Sequence, residues 1–226
     1  MSSDKNLRIT LSDEGCSELE VKKSVFISYA KPIKSPEEAF AFVDEIRKKY
    51  PDARHTAYAW TFSGGTKMQK YSDDGEPSGT AGLPMLYVFE KNQITDAVVT
   101  VTRYFGGILL GKGGLVRAYT KAAAEAVANA CPVVMEKCAI FAVITDYSWS
   151  EKVIYELKSN GYSPENLEYT DKVSFEVAVP VKNEEAFVAR MIDFTGGKIV
   201  PSKTGEIEAV SGKVSIEREE TVDDDE

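Results

Sequence analysis

The chain has 226 residues, 43% apolar and 28% charged, and its 27 basic and 36 acidic side chains leave a net charge of −9. This balance excludes disordered and fibrous classes, and it argues against wrapping of nucleic acid by the molecule as a whole. The longest stretch without a charged side chain, Pro77 to Phe89, is 13 residues, short of the roughly 20 that a membrane-spanning helix needs. Met1 to Leu11 is polar and carries no secretory signal, so the expected location is the cytoplasm, with no membrane contact.

In chain order, residues 1–15 read as a frayed lead-in. Leu19 to Ile33 alternates and predicts a strand, with a second after a bend. Ser35-Pro36-Glu37-Glu38 opens a helix: Ser35 caps, Pro36 fits the first turn, and the two carboxylates meet the positive dipole end. This helix runs to about Tyr50 with Ala39, Phe42, Val43 and Ile46 on one stripe, and Pro51 stops it. Arg54 to Ser63 is a strand with His55, Ala57, Ala59 and Thr61 on one face and Thr56, Tyr58, Trp60 and Phe62 on the other. Ser72 to Gly82 is a polar, glycine-rich loop. Leu83 to Glu90 fits a helix or a strand equally. Thr95 to Phe105 is β-branched and reads as a central strand, Gly106 to Gly114 is glycine-rich, and Leu115 to Ala130 is an alanine-rich helix.

The rhythm changes near Pro132. Strands are expected at Lys137 to Asp146, Tyr162 to Tyr169 and Val173 to Val181, with a last strand or hairpin over Ile199 onward and Glu206 to Glu217. Helices are expected at Ser150 to Asn160 and Asn183 to Phe194. The order βαββαβ is the ferredoxin-like pattern. The expected organisation is therefore an α+β chain with a first domain over 15–133, a ferredoxin-like domain over 136–216 and an acidic, disordered tail over 217–226.

Charge follows the same division. Residues 1–53 carry net −1, residues 54–135 net +2 and residues 136–226 net −10. The middle stretch alone has a local case for an anionic partner. Its strongest feature is Thr102 to Arg117, where glycines join a strand to a helix. Such a loop lets backbone approach a ligand, and the helix start offers unpaired N–H groups and a positive dipole end. Arg103, Lys112 and Arg117 surround it. The segment misses a Walker A loop by one residue: Gly106-x4-Gly111-Lys112 is followed by Gly113, where a hydroxyl would bind magnesium. The alternative is that the glycines serve only a tight strand-to-helix connection.

Ser72 to Gly82 holds Asp73, Asp74 and Glu76, which could form a solvated turn, hold magnesium, or pair with Arg103 and Arg117. His55 is the single histidine and sits among alanines; it reads either as a hydrogen-bonded structural residue or as a ligand contact. Tyr58, Trp60 and Phe62 read as core under a helix, with a base-stacking platform as the alternative. Three cysteines without a CxxC pair and one histidine supply neither a disulfide framework nor a zinc site, and no metal or cofactor is expected.

Three blocks taken together resemble the YigZ/IMPACT family: Asp52-Ala53-Arg54-His55; Ser72 to Pro77 with Gly79 to Gly82; and Val101 to Gly107 with Leu110 to Tyr119. The resemblance extends from about Gly15 to Pro132, and residues 136–216 are similar to the smaller second domain of bacterial members. It implies a first domain with the β-α fold shared by domain 2 of a small-subunit ribosomal protein and domain IV of elongation factor G. The second would be like that factor's C-terminal domain. The extra N-terminal domain by which eukaryotic members bind a partner in translation control has no counterpart here.

The leading expectation is a non-catalytic, translation-associated protein that binds RNA or a ribosome-associated factor through a cleft of the first domain. There Arg103, Lys112 and Arg117 would contact phosphates, the Gly113 and Gly114 amides would cap one, and Gly106 and Gly107 would shape the loop. His55 would lie at the cleft, and Asp73 and Asp74 would position the basic groups. Two alternatives stay open: an enzyme binding a nucleotide or phosphometabolite in the same cleft, and a protein-interaction module.

Overall fold

The computed structural model describes residues 7–215. Two compact units divide them. One holds residues 8–134 and 212–215; the other holds residues 135–211 with Leu7. The acidic tail expected at 217–226 lies outside the described residues.

Up to residue 129 the elements are β1 (Leu7–Leu11), β2 (Gly15–Val21), β3 (Ser24–Pro32), α1 (Pro36–Lys49), β4 (His55–Phe62), β5 (Met68–Ser72), α2 (Gly82–Lys91), β6 (Ala97–Tyr104) and α3 (Gly111–Asn129). Over Leu7–Leu11 β1 corrects the expected frayed lead-in, whose residues 1–6 lie outside the described residues: the Thr95 N–H donates to the Ile9 carbonyl, and Arg8 pairs with Asp96. The other five strands form an antiparallel sheet in the order β2-β3-β6-β4-β5.

Period-two alternation divides the side chains of this sheet between two helical layers. Tyr58, Trp60 and Val98 go to one face and pack under Ala39, Phe42, Val43 and Ile46 of α1. Tyr58 and Trp60 are thus core, while Phe62 is half-buried against the same cluster. Phe26, Ala57, Ala59, Val99 and Val101 go to the other face, under α2 and α3. The small residues of β4 lie under α2, and the alanines of α3 let that helix lie close to β2 and β3. The segment that fitted helix or strand equally is α2, with Leu83 and Tyr87 exposed one turn apart and Met85, Leu86 and Phe89 buried.

The β2–β3 hairpin closes on only two residues, Lys22 and Lys23, both in the left-handed region at φ 47° and 64°. That is the dihedral signature of a type I′ turn, a conformation that non-glycine residues adopt at a cost.

The second unit has β7 (Pro132–Thr145), α4 (Tyr147–Ser159), β8 (Pro164–Tyr169), β9 (Val173–Pro180), α5 (Glu184–Thr195) and β10 (Ser202–Lys213), with a single 3-10 turn at Val181–Asn183. β9 lies antiparallel between β7 and β8, and β10 also pairs with β7. This is the ferredoxin-like arrangement. Its core joins Phe141, Val143, Phe175 and Val177 of the sheet to Val153, Leu157, Phe187 and Met191 of the helices. The chain is α+β throughout, with a mixed α/β first unit and the ferredoxin-like second. Among the described residues the last element is one long strand, β10, where a strand or hairpin was expected; the end of that expectation, to Glu217, lies outside them.

Candidate functional site: a cleft at the start of α3

β6 carries Arg103 onto the sheet face that packs under α2 and α3, beside His55 of β4 and Phe26 of β3 in the strand register. The side chain is almost wholly buried. A buried guanidinium is costly unless its charge is met. Glu76 meets it: Arg103 Nη1 donates to Glu76 Oε1 at 2.8 Å, with the two side chains 8% and 3% exposed. The Tyr119 hydroxyl donates to the same oxygen at 2.9 Å. Burial, then the Glu76 charge, pushes the Tyr119 hydroxyl far above the usual tyrosine range, so it remains a donor. Arg103 Nη2 reaches Ser24 Oγ at 3.3 Å, and its guanidinium lies 5.5 Å from the ring centroids of Phe26 and Phe105. Its Nε has no hydrogen-bond partner among the described residues.

The two aspartates do other work. Asp73 Oδ2 accepts from the Gly79 N–H at 2.8 Å, and Oδ1 accepts from the Ala81 and Gly82 N–H groups at 3.0 and 2.9 Å. Asp73 therefore occupies the start of α2. Asp74 accepts from the Thr56 N–H at 2.8 Å and from Arg47 at 2.7 Å. Neither contacts Arg103, Lys112 or Arg117. The carboxylate that positions Arg103 is Glu76, which the sequence offered only as one of three acids in the loop. His55 Nδ1 lies 2.8 Å from the Asp74 carbonyl. A carbonyl only accepts, so the proton of neutral His55 sits on Nδ1.

α3 begins differently from α2. Leu110 stands at its cap position and no side chain bonds the first amides. Gly111 and Gly107 take φ of 71° and 83°, which fits the sharp approach to the helix. Gly106 serves a close approach: a Cβ there would lie 2.0 Å from the Lys23 carbonyl carbon, against the back of the hairpin turn. Its N–H also donates to Ser24 Oγ. The unsatisfied amides are those of Gly111, Lys112 and Gly113, because Gly114 is the first helical residue whose N–H can reach a carbonyl four residues back. At Gly114 an added Cβ would lie 3.1 Å from the Leu110 Cβ.

Between this helix start and the start of β4 lies a cleft of about 400 Å³. Arg54, His55, Arg103, Gly111 and Lys112 line it, with Glu76 and Pro77 on the loop side and Phe105, Leu109, Leu110 and Leu115 as apolar wall. The structure thus brings His55, Arg103 and Lys112 together. It leaves Asp73, Asp74, Gly106, Gly107, Gly113, Gly114 and Arg117 outside the lining. Arg117 is exposed further along α3. Arg54 and Tyr119 were not singled out as site residues. Arg54 carried a signal as a charge beside the single histidine. Tyr119 carried one as a hydroxyl on the inward stripe of an alanine-rich helix, which needs a buried partner. Among the described residues no group of three metal-ligating side chains converges, and no helix is long and apolar enough to cross a membrane.

The family model described as Impact N-terminal domain matches residues 22–127, and a domain of unknown function, DUF1949, matches residues 143–198. The chain is 38% identical to the IMPACT family member YvyE of Bacillus subtilis over 84% of its own length and 87% of that protein. It is 34% identical to the IMPACT family member YigZ of Escherichia coli, over 80% and 89%. With the protein IMPACT homolog of Saccharomyces cerevisiae it shares 31% identity over 39% of this chain and 35% of that one. A solved structure titled as a hypothetical protein superposes with a TM-score of 0.56 at 31% identity, covering 88% and 98%.

Proposed function

Because the chain belongs to the IMPACT family, we propose that it is a translation-associated regulatory protein that binds RNA or a ribonucleoprotein through the cleft at the start of α3, without catalysing a reaction. The observation that carries this reading is the open first turn of α3, flanked by the exposed cations Arg54 and Lys112. Unpaired amides and a positive dipole end favour phosphate, and two exposed cations at the rim supply its counter-charge. Arg103 contributes structure, and its charge is already neutralised by Glu76.

The non-catalytic part rests on how the acids are employed. Glu76 is the one carboxylate lining the cleft among the described residues, and it holds two donors. Asp73 and Asp74 are likewise committed, to backbone amides and to Arg47.

The test is a salt titration of the full chain against total RNA and against ribosomes. Phosphate contact gives a log K against log salt slope of roughly −0.7 per contact on single strands, hence about −1.4 for two cations. Arg54→Glu with Lys112→Glu should abolish that slope and the binding. A flat slope, or equal affinity in the double variant, overturns the reading; recovery of a protein partner that survives nuclease would favour an interaction module.

A further inference from the structure

The second unit buries one face of its sheet and leaves the other bare. α4 and α5 cover the face that carries Phe141, Val143, Phe175 and Val177. Period two sends the alternate residues to the opposite face. Along β7 these are Ile140, Ala142 and Ile144; the first two are half-buried and Ile144 is 59% exposed. The register sets Ala178, Glu176 and Ser174 of β9 directly beside them. It then sets Glu165 and Glu168 of β8 beside Glu176 and Ser174. An apolar strip on β7 therefore runs alongside an anionic strip on β8 and β9.

The anionic strip works against the fold. Glu165 and Glu176 are direct cross-strand partners, and like charges so placed destabilise a sheet. Among the described residues no cation pairs with Glu165, Glu168 or Glu176; the lysines and arginine of this unit that form ion pairs take Glu136, Glu156, Glu184 and Glu206 instead. Glu176 Oε2 accepts from Asn166 Nδ2 at 2.7 Å, and a neutral amide leaves the charge unmet. A cation brought to this strip from outside removes a repulsion that the free protein carries.

Charge and size select the occupant. A two-fold pairing of this face with a second copy would set glutamate against glutamate. The face is also small: β7 and β8 lie about 10 Å apart, and Ile140 to Ile144 spans about 13 Å. A folded partner covers roughly 800 Å² per side. The bulge between Glu165 and Glu168 disturbs the edge of β8, which discourages an added strand. A short helix fits, since about 13 Å is about nine helical residues. We propose that the open sheet face of the second unit docks an amphipathic helix of a partner protein. Its apolar stripe lies on Ile140, Ala142 and Ile144, and Lys or Arg side chains along one flank reach Glu165, Glu168 and Glu176.

The experiment is a fluorescence-anisotropy titration of the full chain against a labelled leucine/lysine peptide of about 14 residues with a helical apolar stripe. Two controls accompany it: a scramble of the same composition that breaks the stripe, and a version with Glu for every Lys. The striped cationic peptide should bind at least tenfold more tightly than either. Glu165→Gln, Glu168→Gln and Glu176→Gln combined should lower its affinity at least tenfold, and so should Ile144→Ser. The triple variant's Tm should hold or rise, because it removes like charges from the sheet; lost binding is then not lost folding. Equal affinity for the scramble overturns the inference. The acidic residues of 217–226 are intact in the triple variant, so affinity that survives it belongs elsewhere and overturns the inference too. A dimer in sedimentation that the triple variant dissolves assigns the face to a second copy, with the same result. The face belongs to the second unit, so none of these outcomes decides the cleft at the start of α3.

Discussion

Replacing Glu76 by glutamine isolates the charge of the buried pair from its hydrogen bonds. The amide oxygen can still accept from Arg103 Nη1 and the Tyr119 hydroxyl, both now on one carboxylate oxygen. What is lost is the counter-charge of a guanidinium whose side chain is 8% exposed. Two unit charges about 4 Å apart attract by about 4 kcal/mol at an effective dielectric of about 20. Breaking one side of a buried pair costs about 3–5 kcal/mol. Glu76→Gln should therefore destabilise the first unit by about 3 kcal/mol. At a urea m-value of about 2 kcal/mol/M this moves the midpoint down by about 1.5 M. The two tryptophans make the assay local: Trp60 is core of the first unit and Trp149 packs in the second. Urea unfolding followed by fluorescence in a Trp149→Phe background thus reports the first unit alone. Adding Arg103→Met to Glu76→Gln should restore more than half of the loss, because no unpaired charge remains. A midpoint shift below about 0.3 M, or simple additivity in the double variant, would refute the reasoning.

Three further outcomes follow from the same geometry. Gly106→Ala should cost about 2–3 kcal/mol in urea unfolding, because its Cβ would meet hairpin backbone at 2.0 Å, whereas Gly113→Ala, in open space, should stabilise α3 by up to about 1 kcal/mol. Asp73→Ala leaves the amides of Gly79 in the loop and of Ala81 and Gly82 at the start of α2 without their acceptor and should lose about 2–3 kcal/mol, read as faster amide exchange over Gly82 to Leu86. The proton of Tyr119 is held in the folded state above the ordinary tyrosine value of 10. Below that pH both states keep it and stability is unaffected; above it only the unfolded chain releases it, so stability falls by about 1.4 kcal/mol per pH unit. Urea midpoints measured from pH 9 to 11 should show this decline, and Tyr119→Phe should make it shallower without abolishing it, because Tyr50, Tyr58 and Tyr104 are also held above the ordinary tyrosine value.

The parts of the fold legible in the sequence are those where periodicity and end signals agree. Ser35-Pro36 does open α1, with the Glu38 N–H on Ser35 Oγ, and βαββαβ is the order of the second unit. α2 could not be told from a strand because LPMLYVFE is apolar on nearly every side; its identity comes from lying on a sheet whose position the local sequence does not encode. β1 was lost in a short polar lead-in because its hydrogen bonds go to residues far along the chain, such as Thr95. At the site, His55, Arg103 and Lys112 were legible from residue type and from the glycine loop. The pairing was not. Glu76 and Arg103 are 27 residues apart and meet only when β6 crosses the sheet, so three nearby carboxylates looked equivalent. Backbone amides claim Asp73, Arg47 and the Thr56 amide claim Asp74, and the remaining acid takes the arginine.

The Arg103–Glu76–Tyr119 cluster has a consequence for how such a protein can change over generations. Its charges cancel inside the domain, so the cationic character of the cleft is carried by Arg54 and Lys112, which stand at the rim and bear little of the fold's stability. On the proposed binding role, a lineage can therefore drift in ligand preference through those two positions while its folding is left untouched. The interior triad admits only concerted exchange, since either partner alone strands a charge in the core. Binding and folding are in this way mutationally separable, although the residues that serve them sit side by side.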